Sequence, residues 1–287
     1  MYNSLISAQQ LQTLQASGQP VMVFDCSFEL MQSDAGDQQY AQVHIPGAIR
    51  ADLNQHLSAA KTASDAASGG RHPLPSRDTF AAWLSSVGFN NDMQAVVYDR
   101  QGANYCGRLW WLMKWVGHDA VALLDGGWQA WLGTGGATQS GPQRAPAVTS
   151  NFQLAPARTT LITTDILAQR LGRPTQILID ARATPRFRGE VEPLDPVPGH
   201  IPGALNRPFY LNIGPDGKFK PATELRAEFD ALLAGRDPAS VVHHCGSGVS
   251  ALPNLIAMAL AGLGPTALYA GSWSEWCRDP KRPMALG

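Results

Sequence analysis

Nowhere in the chain do about 18 apolar residues run together, so no segment is expected to cross a bilayer as a helix. The first residues, Met1 to Gln15, lack the basic start and continuous apolar stretch of a secretory leader. With Ser7 as a cap and Leu11 and Leu14 on one face, they predict a short helix instead. Neither sign of charge dominates: 22 basic against 23 acidic side chains leave a formal charge of -1, which supplies no field for nucleic acid or an anionic membrane. Cysteine is scarce, and Cys26, Cys106, Cys245 and Cys277 are too scattered for a zinc knuckle or a redox Cys-x-x-Cys. The expectation is a soluble cytoplasmic protein with free thiols, a small-molecule or protein partner, and no metal or cofactor.

What is present is length and repetition. A chain of 287 residues with 44% hydrophobic content exceeds what one core usually organises and suits two domains of about 140 residues each. Val23-Phe24-Asp25 followed by HIPGA at His44 to Ala48 recurs as Leu178-Ile179-Asp180 followed by HIPGA at His200 to Ala204. Ala95 to Arg100 aligns with Ser240 to Cys245, and Gly126-Gly127-Trp128 with Gly271-Ser272-Trp273. Such self-similarity predicts one architecture used twice. The first copy carries about 11 more residues between its HIPGA and the following loop.

Phe80, Trp83, Leu84 and Val87 share a helical face after Ser76, as do Leu225, Phe229, Leu232 and Leu233 before Gly235. The apolar runs Val21 to Phe24, Val96 to Tyr98, Val121 to Leu124, Ile177 to Ile179 and Val241 to Val242 suit buried strands of a mostly parallel sheet. The fold class is therefore α/β, two tandem domains of sheet flanked by helices, with boundaries at 1–135 and 156–287. A linker at 136–155 is marked by Gly, Thr, Ser, Pro and Ala without apolar periodicity. The polar stretch Lys61 to Arg71 reads as a surface loop or as a flap near the second domain's site.

The chemistry concentrates in one loop. Val241 to His244 reads as a strand and Val249 to Leu260 as a helix, with Cys245-Gly246-Ser247-Gly248 between them. A thiol ahead of a helix N-terminus feels the positive end of the helix dipole and unpaired backbone N–H groups, and both favour thiolate. The two glycines let the backbone curl closely around a sulfur. Cys245 is thus the candidate nucleophile, against the blander reading of a buried cysteine beside a Gly-rich turn.

HCGSGVSA, with GHIPGA before it and GSWSEW after it, resembles the catalytic half of tandem-domain rhodaneses and 3-mercaptopyruvate sulfurtransferases, over nearly the whole chain. The Cys-Gly-Ser-Gly-Val loop is similar to that of the mercaptopyruvate branch. The resemblance implies that Cys245 takes sulfur from 3-mercaptopyruvate, releases pyruvate and holds a persulfide for a thiol, cyanide or thioredoxin-like acceptor. Two successive displacements of this kind are nucleophilic catalysis with ping-pong behaviour. It further implies Ser247 as a polarising or proton-relaying hydroxyl, Asp52 as its acidic partner and His72 as another candidate nearby. Arg186 is implied as the ligand of the substrate carboxylate, and Gly246, Gly248, Val249 and Ser250 as the substrate-facing loop. Family members often carry a second arginine in a Pro-Glu-Pro-Arg run; Leu194 stands there in this chain, and Arg188 is the nearest replacement. Arg100 occupies the nucleophile's position in the first half, which is therefore expected to be inactive.

Competing readings are weaker. Phosphoester hydrolysis on this fold needs Cys-x5-Arg, and Ala251 stands where that arginine would be. A non-catalytic sulfur-carrier or regulatory binding module is the non-enzymatic alternative; inert domains of the family it resembles usually lose the nucleophile, as the first half has, while the second half keeps Cys245. A thiosulfate:cyanide sulfurtransferase is the nearest alternative enzyme. His44 and His200 read as braces of Ile-Pro-Gly turns, and of His243 and His244, alternating on a strand, at most one faces the loop.

Overall fold

Short apolar runs bounded by turn residues form the strands, and each of their ladders is parallel. The computed structural model describes residues 1–142 and 149–287. It contains two compact units: Met1–Asp65, Pro75–Arg158 and Pro215–Phe219 make the first, and Ala66–Leu74, Thr159–Gly214 and Lys220–Gly287 the second. Of the expected linker 136–155, residues 143–148 lie outside the described residues. Near its end Phe152 is buried in the first unit, its ring 6.0 Å from that of Phe89.

In the first unit the chain runs β1 (Leu5–Ile6), α1 (Ala8–Ala16), β2 (Val21–Asp25), α2 (Ala35–Gln42), β3 (Ile49–Arg50), α3 (Arg77–Ser86), β4 (Gln94–Tyr98), α4 (Cys106–Trp115), β5 (Val121–Leu124) and α5 (Gly127–Gly133). The sheet order is β1-β5-β4-β2-β3. Ser7 caps α1 through a capping box closed by Gln10, a device worth about 1 kcal/mol. Leu11 and Leu14 meet Val23, Val96, Trp128 and Trp131 in one core.

The second unit repeats the path with β6 (Thr160–Leu161), α6 (Thr164–Gln169), β7 (Ile177–Asp180), α7 (Thr184–Arg188), β8 (Leu205–Asn206), α8 (Ala222–Leu233), β9 (Val241–His244), α9 (Leu252–Leu260), β10 (Ala267–Leu268) and α10 (Ser272–Trp276). Its order, β6-β10-β9-β7-β8, is the same permutation. The sequence repeat is therefore a repeat of whole sheets, and Leu167, Leu178, Val242, Tyr269 and Trp273 form the second core.

The HIPGA turns are braced by their histidines. His44 stacks on Tyr40 at 3.9 Å with its Nδ1 2.7 Å from the Tyr40 carbonyl oxygen, and His200 does the same with Phe187 at 3.8 Å and 2.8 Å. Gly47 and Gly203 sit at φ +73° and +78° with open space around a notional Cβ, so the backbone conformation alone demands glycine.

The helix start after Cys245 differs from the expected one, and of the two readings of the polar stretch the structure agrees with the one near the second domain's site. The helix after Cys245 begins at Leu252 rather than Val249, because residues 246–251 are spent turning around the sulfur. The polar stretch after Lys61 divides, and Ala66–Leu74 packs with the second unit.

Candidate active site

β9 lies inside its sheet between β10 and β7, and Cys245 follows directly at its C-terminal end. The loop is then pinned to the start of α10. Trp273 N–H donates to the Cys245 carbonyl at 3.0 Å and Ser274 N–H to the Gly246 carbonyl at 2.9 Å, while Cys245 N–H donates to Ser272 Oγ at 3.1 Å. Ser247 N–H turns back onto Cys245 Sγ at 3.4 Å. Gly248 has φ +73°, and a Cβ there would come within 2.2 Å of the Ala270 carbonyl oxygen, so a side chain would force the loop away from the sheet. Val249 and Ala251 are buried and Ser250 is half-buried.

One face of the loop meets guanidinium groups. A Cβ on Gly246 would lie 3.0 Å from Arg71 Nη2 and 3.6 and 3.7 Å from the Arg186 Nη1 and Nη2 atoms. Both arginines belong to an alternating chain of charge that ends at Arg71. Asp180 binds Arg182 at 2.7 Å and Arg182 reaches Glu192 at 3.4 Å; Glu192 binds Arg186 at 2.6 Å, Arg186 reaches Asp195 at 3.2 Å, and Asp195 binds Arg71 at 2.6 Å. Arg182 also lies over Trp273, 4.9 Å from the ring centre. Burial pushes the Asp195 carboxyl above its ordinary range, with Glu192 adding to the shift, although Arg71 and Arg186 pull the other way.

Ala66–Leu74 brings a second group to the sulfur. Gly69 N–H donates to Glu275 at 3.1 Å and Arg71 N–H to Ser274 Oγ at 2.9 Å, and Gly70 is so close to Gly271 that a Cβ would be 2.6 Å from its carbonyl oxygen. So held, His72 is buried with Nδ1 2.8 Å from Ser247 Oγ. Ser247 Oγ is therefore hydrogen-bonded to His72, the other candidate named for this neighbourhood. Asp52 belongs to the first unit and is buried rather than solvated: its carboxylate binds Arg50 at 2.9 Å and accepts from the N–H groups of Asn54 and Gln55.

Arg188 does not replace the arginine missing at Leu194. Two residues beyond Arg186 on α7 it points to another side of the helix, where it is largely exposed and 3.7 Å from Glu190. Arg71 is the residue that the sequence reading overlooked; its signal was its place beside His72. His243 and His244 are both fully buried, and among the described residues neither ring makes a hydrogen bond, though His244 Nδ1 is 3.9 Å from Asp180. Burial holds His243 down at about 3 and lowers His244 as well.

The corresponding loop of the first unit is filled by its own residues. Asp99 stands where the second unit has His244, and its carboxylate accepts from the N–H groups of Gln101, Ala103, Tyr105 and Cys106 at 2.8–3.0 Å. Arg100, in the nucleophile's position, binds Asp25 at 3.0 Å and lies over Trp128 at 4.8 Å.

A strand-end cysteine in a glycine-bearing loop, on a five-stranded parallel sheet that occurs twice, defines a duplicated α/β architecture with one candidate thiol nucleophile. The family model for the rhodanese-like domain matches residues 7–134 and again 163–279, and the chain belongs to the rhodanese family of sulfurtransferases. It is 46% identical to a probable 3-mercaptopyruvate sulfurtransferase of Pseudomonas aeruginosa over 99% of this chain and 98% of that one. Identity with a putative thiosulfate sulfurtransferase of Mycobacterium tuberculosis is 39%, covering 99% and 97%. Among solved structures, a 3-mercaptopyruvate sulfurtransferase from Leishmania major superposes with a TM-score of 0.78 at 32% identity, covering 96% of this chain and 74% of that one. Described residues include no helix long and apolar enough to cross a membrane.

Proposed function

We propose that the protein takes the thiol sulfur of 3-mercaptopyruvate, holds it as the outer sulfur of a persulfide on Cys245, and passes it to a thiol, cyanide or thioredoxin-like acceptor in the cytoplasm. The observation that carries this is Cys245 itself, held at the end of β9 with Ser247 N–H directed at its sulfur and two guanidiniums beside Gly246. The thiolate attacks the donor sulfur and the C–S bond breaks. Its electron pair leaves on carbon as the enolate of pyruvate, and the proton of the donor thiol ends on that carbon. Ser247 and His72, joined by a hydrogen bond, are suited to passing that proton. Attack of the acceptor on the outer sulfur then restores Cys245.

The nucleophile is assigned to residues 156–287, served by His72 of Ala66–Leu74, and the Arg100 loop of 1–135, occupied by Asp99 and Arg100, is assigned no transfer of its own. Asp52 is kept as the proposed acidic partner of the Ser247–His72 relay, its carboxylate held in place by Arg50 and the N–H groups of Asn54 and Gln55. Incubation with 3-mercaptopyruvate, followed by mass spectrometry and a pyruvate assay, tests the proposal: a gain of one sulfur on Cys245 with stoichiometric pyruvate is expected. Persulfide formation from thiosulfate, with none from 3-mercaptopyruvate, would replace it with the thiosulfate:cyanide reading. The two guanidiniums beside the loop, Arg71 and Arg186, are shared with Asp195 and Glu192. That balance suits a monoanion better than a dianion.

A further inference from the structure

We propose that Arg71 supplies the second guanidinium that holds the donor's carboxylate, the role left open by Leu194; the inference rests on the donor being an α-keto carboxylate.

Four observations converge on it. Arg71 and Arg186 approach the same residue, Gly246, from which a Cβ would be 3.0 Å from Arg71 Nη2 and 3.6 Å from Arg186 Nη1, so both flank the residue next to the nucleophile. Asp195 bridges them, accepting from Arg71 on one oxygen at 2.6 Å and from Arg186 on the other at 3.2 Å. Arg71 ends the alternating chain: Asp195 is its ion-pair partner, and its buried Nε has no hydrogen-bond partner. Lastly, its backbone is fixed by the bond from its N–H to Ser274, and its neighbour His72 reaches Ser247. A guanidinium offers five donors in a planar fork, so one carboxylate partner leaves capacity for another. A carboxylate seated between Arg71 and Arg186 would place the attached carbon chain across Gly246, with its thiol sulfur toward Cys245.

The competing account is that Arg71 only ties Ala66–Leu74 to Asp195. Two donors separate them: 3-mercaptopyruvate and mercaptoacetone, which keeps the ketone and thiol but lacks the carboxylate. In Arg71→Met the ratio of specificity constants, mercaptopyruvate over mercaptoacetone, is expected to fall about 30- to 100-fold, mainly through KM. Arg71→Lys, which keeps the charge and loses the fork, is expected to fall part of the way and covers the case in which the Met variant does not fold. A purely structural role lowers both donors together and leaves the ratio unchanged, which overturns the inference. Calorimetric titration with pyruvate reads the clamp without turnover. Pyruvate binding that is equal in wild type and both variants also overturns it. Binding lost in the variants of a protein that cannot use 3-mercaptopyruvate keeps the clamp and rejects the donor.

Discussion

His72 Nδ1 lies 2.8 Å from Ser247 Oγ, and the same serine's N–H donates to Cys245 Sγ. A residue of Ala66–Leu74 is thereby coupled to the nucleophile through one residue, by its side chain on one side and its main-chain N–H on the other. If the two act as a unit in moving the proton, their effects cannot add. His72→Ala and Ser247→Ala are each expected to lower turnover about 10²- to 10⁴-fold, the range of a positioned proton-transfer group, and the double variant is expected to be little worse than the poorer single one. Losses that multiply, in single-turnover measurements of pyruvate release, would show two independent roles.

Cys245→Ser should abolish transfer with the fold retained. Serine keeps the backbone contacts to Ser272, Trp273 and Ser274, which involve main-chain atoms of residues 245 and 246, but its oxygen forms no persulfide. Residual sulfur transfer by this variant, at a rate above the solvent blank, would move the nucleophile elsewhere.

Arg100→Cys should give no second centre and a weaker first unit. The N–H groups that could cradle a sulfur there are taken by Asp99. Removing Arg100 leaves Asp25 buried without its cation, although Tyr98 and the Ser27 N–H still donate to it. Breaking one side of a buried pair costs about 3–5 kcal/mol, so calorimetry should show the transition of the first unit moved to lower temperature. Persulfide on the new cysteine at a rate near that of Cys245 would refute the occupied-loop argument.

Much of this was written in local pattern. The repeated HIPGA, the apolar runs and the helical faces led to two parallel sheets because each depends on neighbours within a few residues. Cys245 was legible for the same reason, standing between a strand and a glycine turn. The helix start at Leu252 was not, since Val249 and Ala251 fit a helical apolar face equally well while the turn around sulfur is a three-dimensional demand. Arg71 and His72 follow a Ser-Gly-Gly run without periodicity, and their partners Asp195 and Ser247 lie 124 and 175 residues away. No local spacing records such a meeting. The burial of Asp52 was hidden likewise, because a carboxylate after a turn reads as solvated unless its partner Arg50 is known to fold over it.

Acid should destabilise the second unit through its buried histidines. His243 is fully buried, its ring nitrogens have no hydrogen-bond partner, and burial, with help from His244 and Arg207, lowers it to about 3. In the unfolded chain the same side chain titrates near 6.5. Above that pH the ring is neutral in both states and contributes no pH dependence. Below it the unfolded chain binds a proton that the folded one refuses, so stability falls by about 1.4 kcal/mol per pH unit for this group until the folded value near 3 is reached. His244, lowered by burial despite Asp180, acts in the same direction. Between pH 6.5 and 5 most carboxylates stay ionised, so comparing variants there isolates the ring. Replacing His243 with Leu removes two unsatisfied buried nitrogens and should leave stability at neutral pH equal or higher. Its denaturation free energy over that window should lose the His243 share of the slope, about 1.4 kcal/mol per unit. An unchanged slope in His243→Leu would mean that the histidine is protonated or solvated in the folded protein.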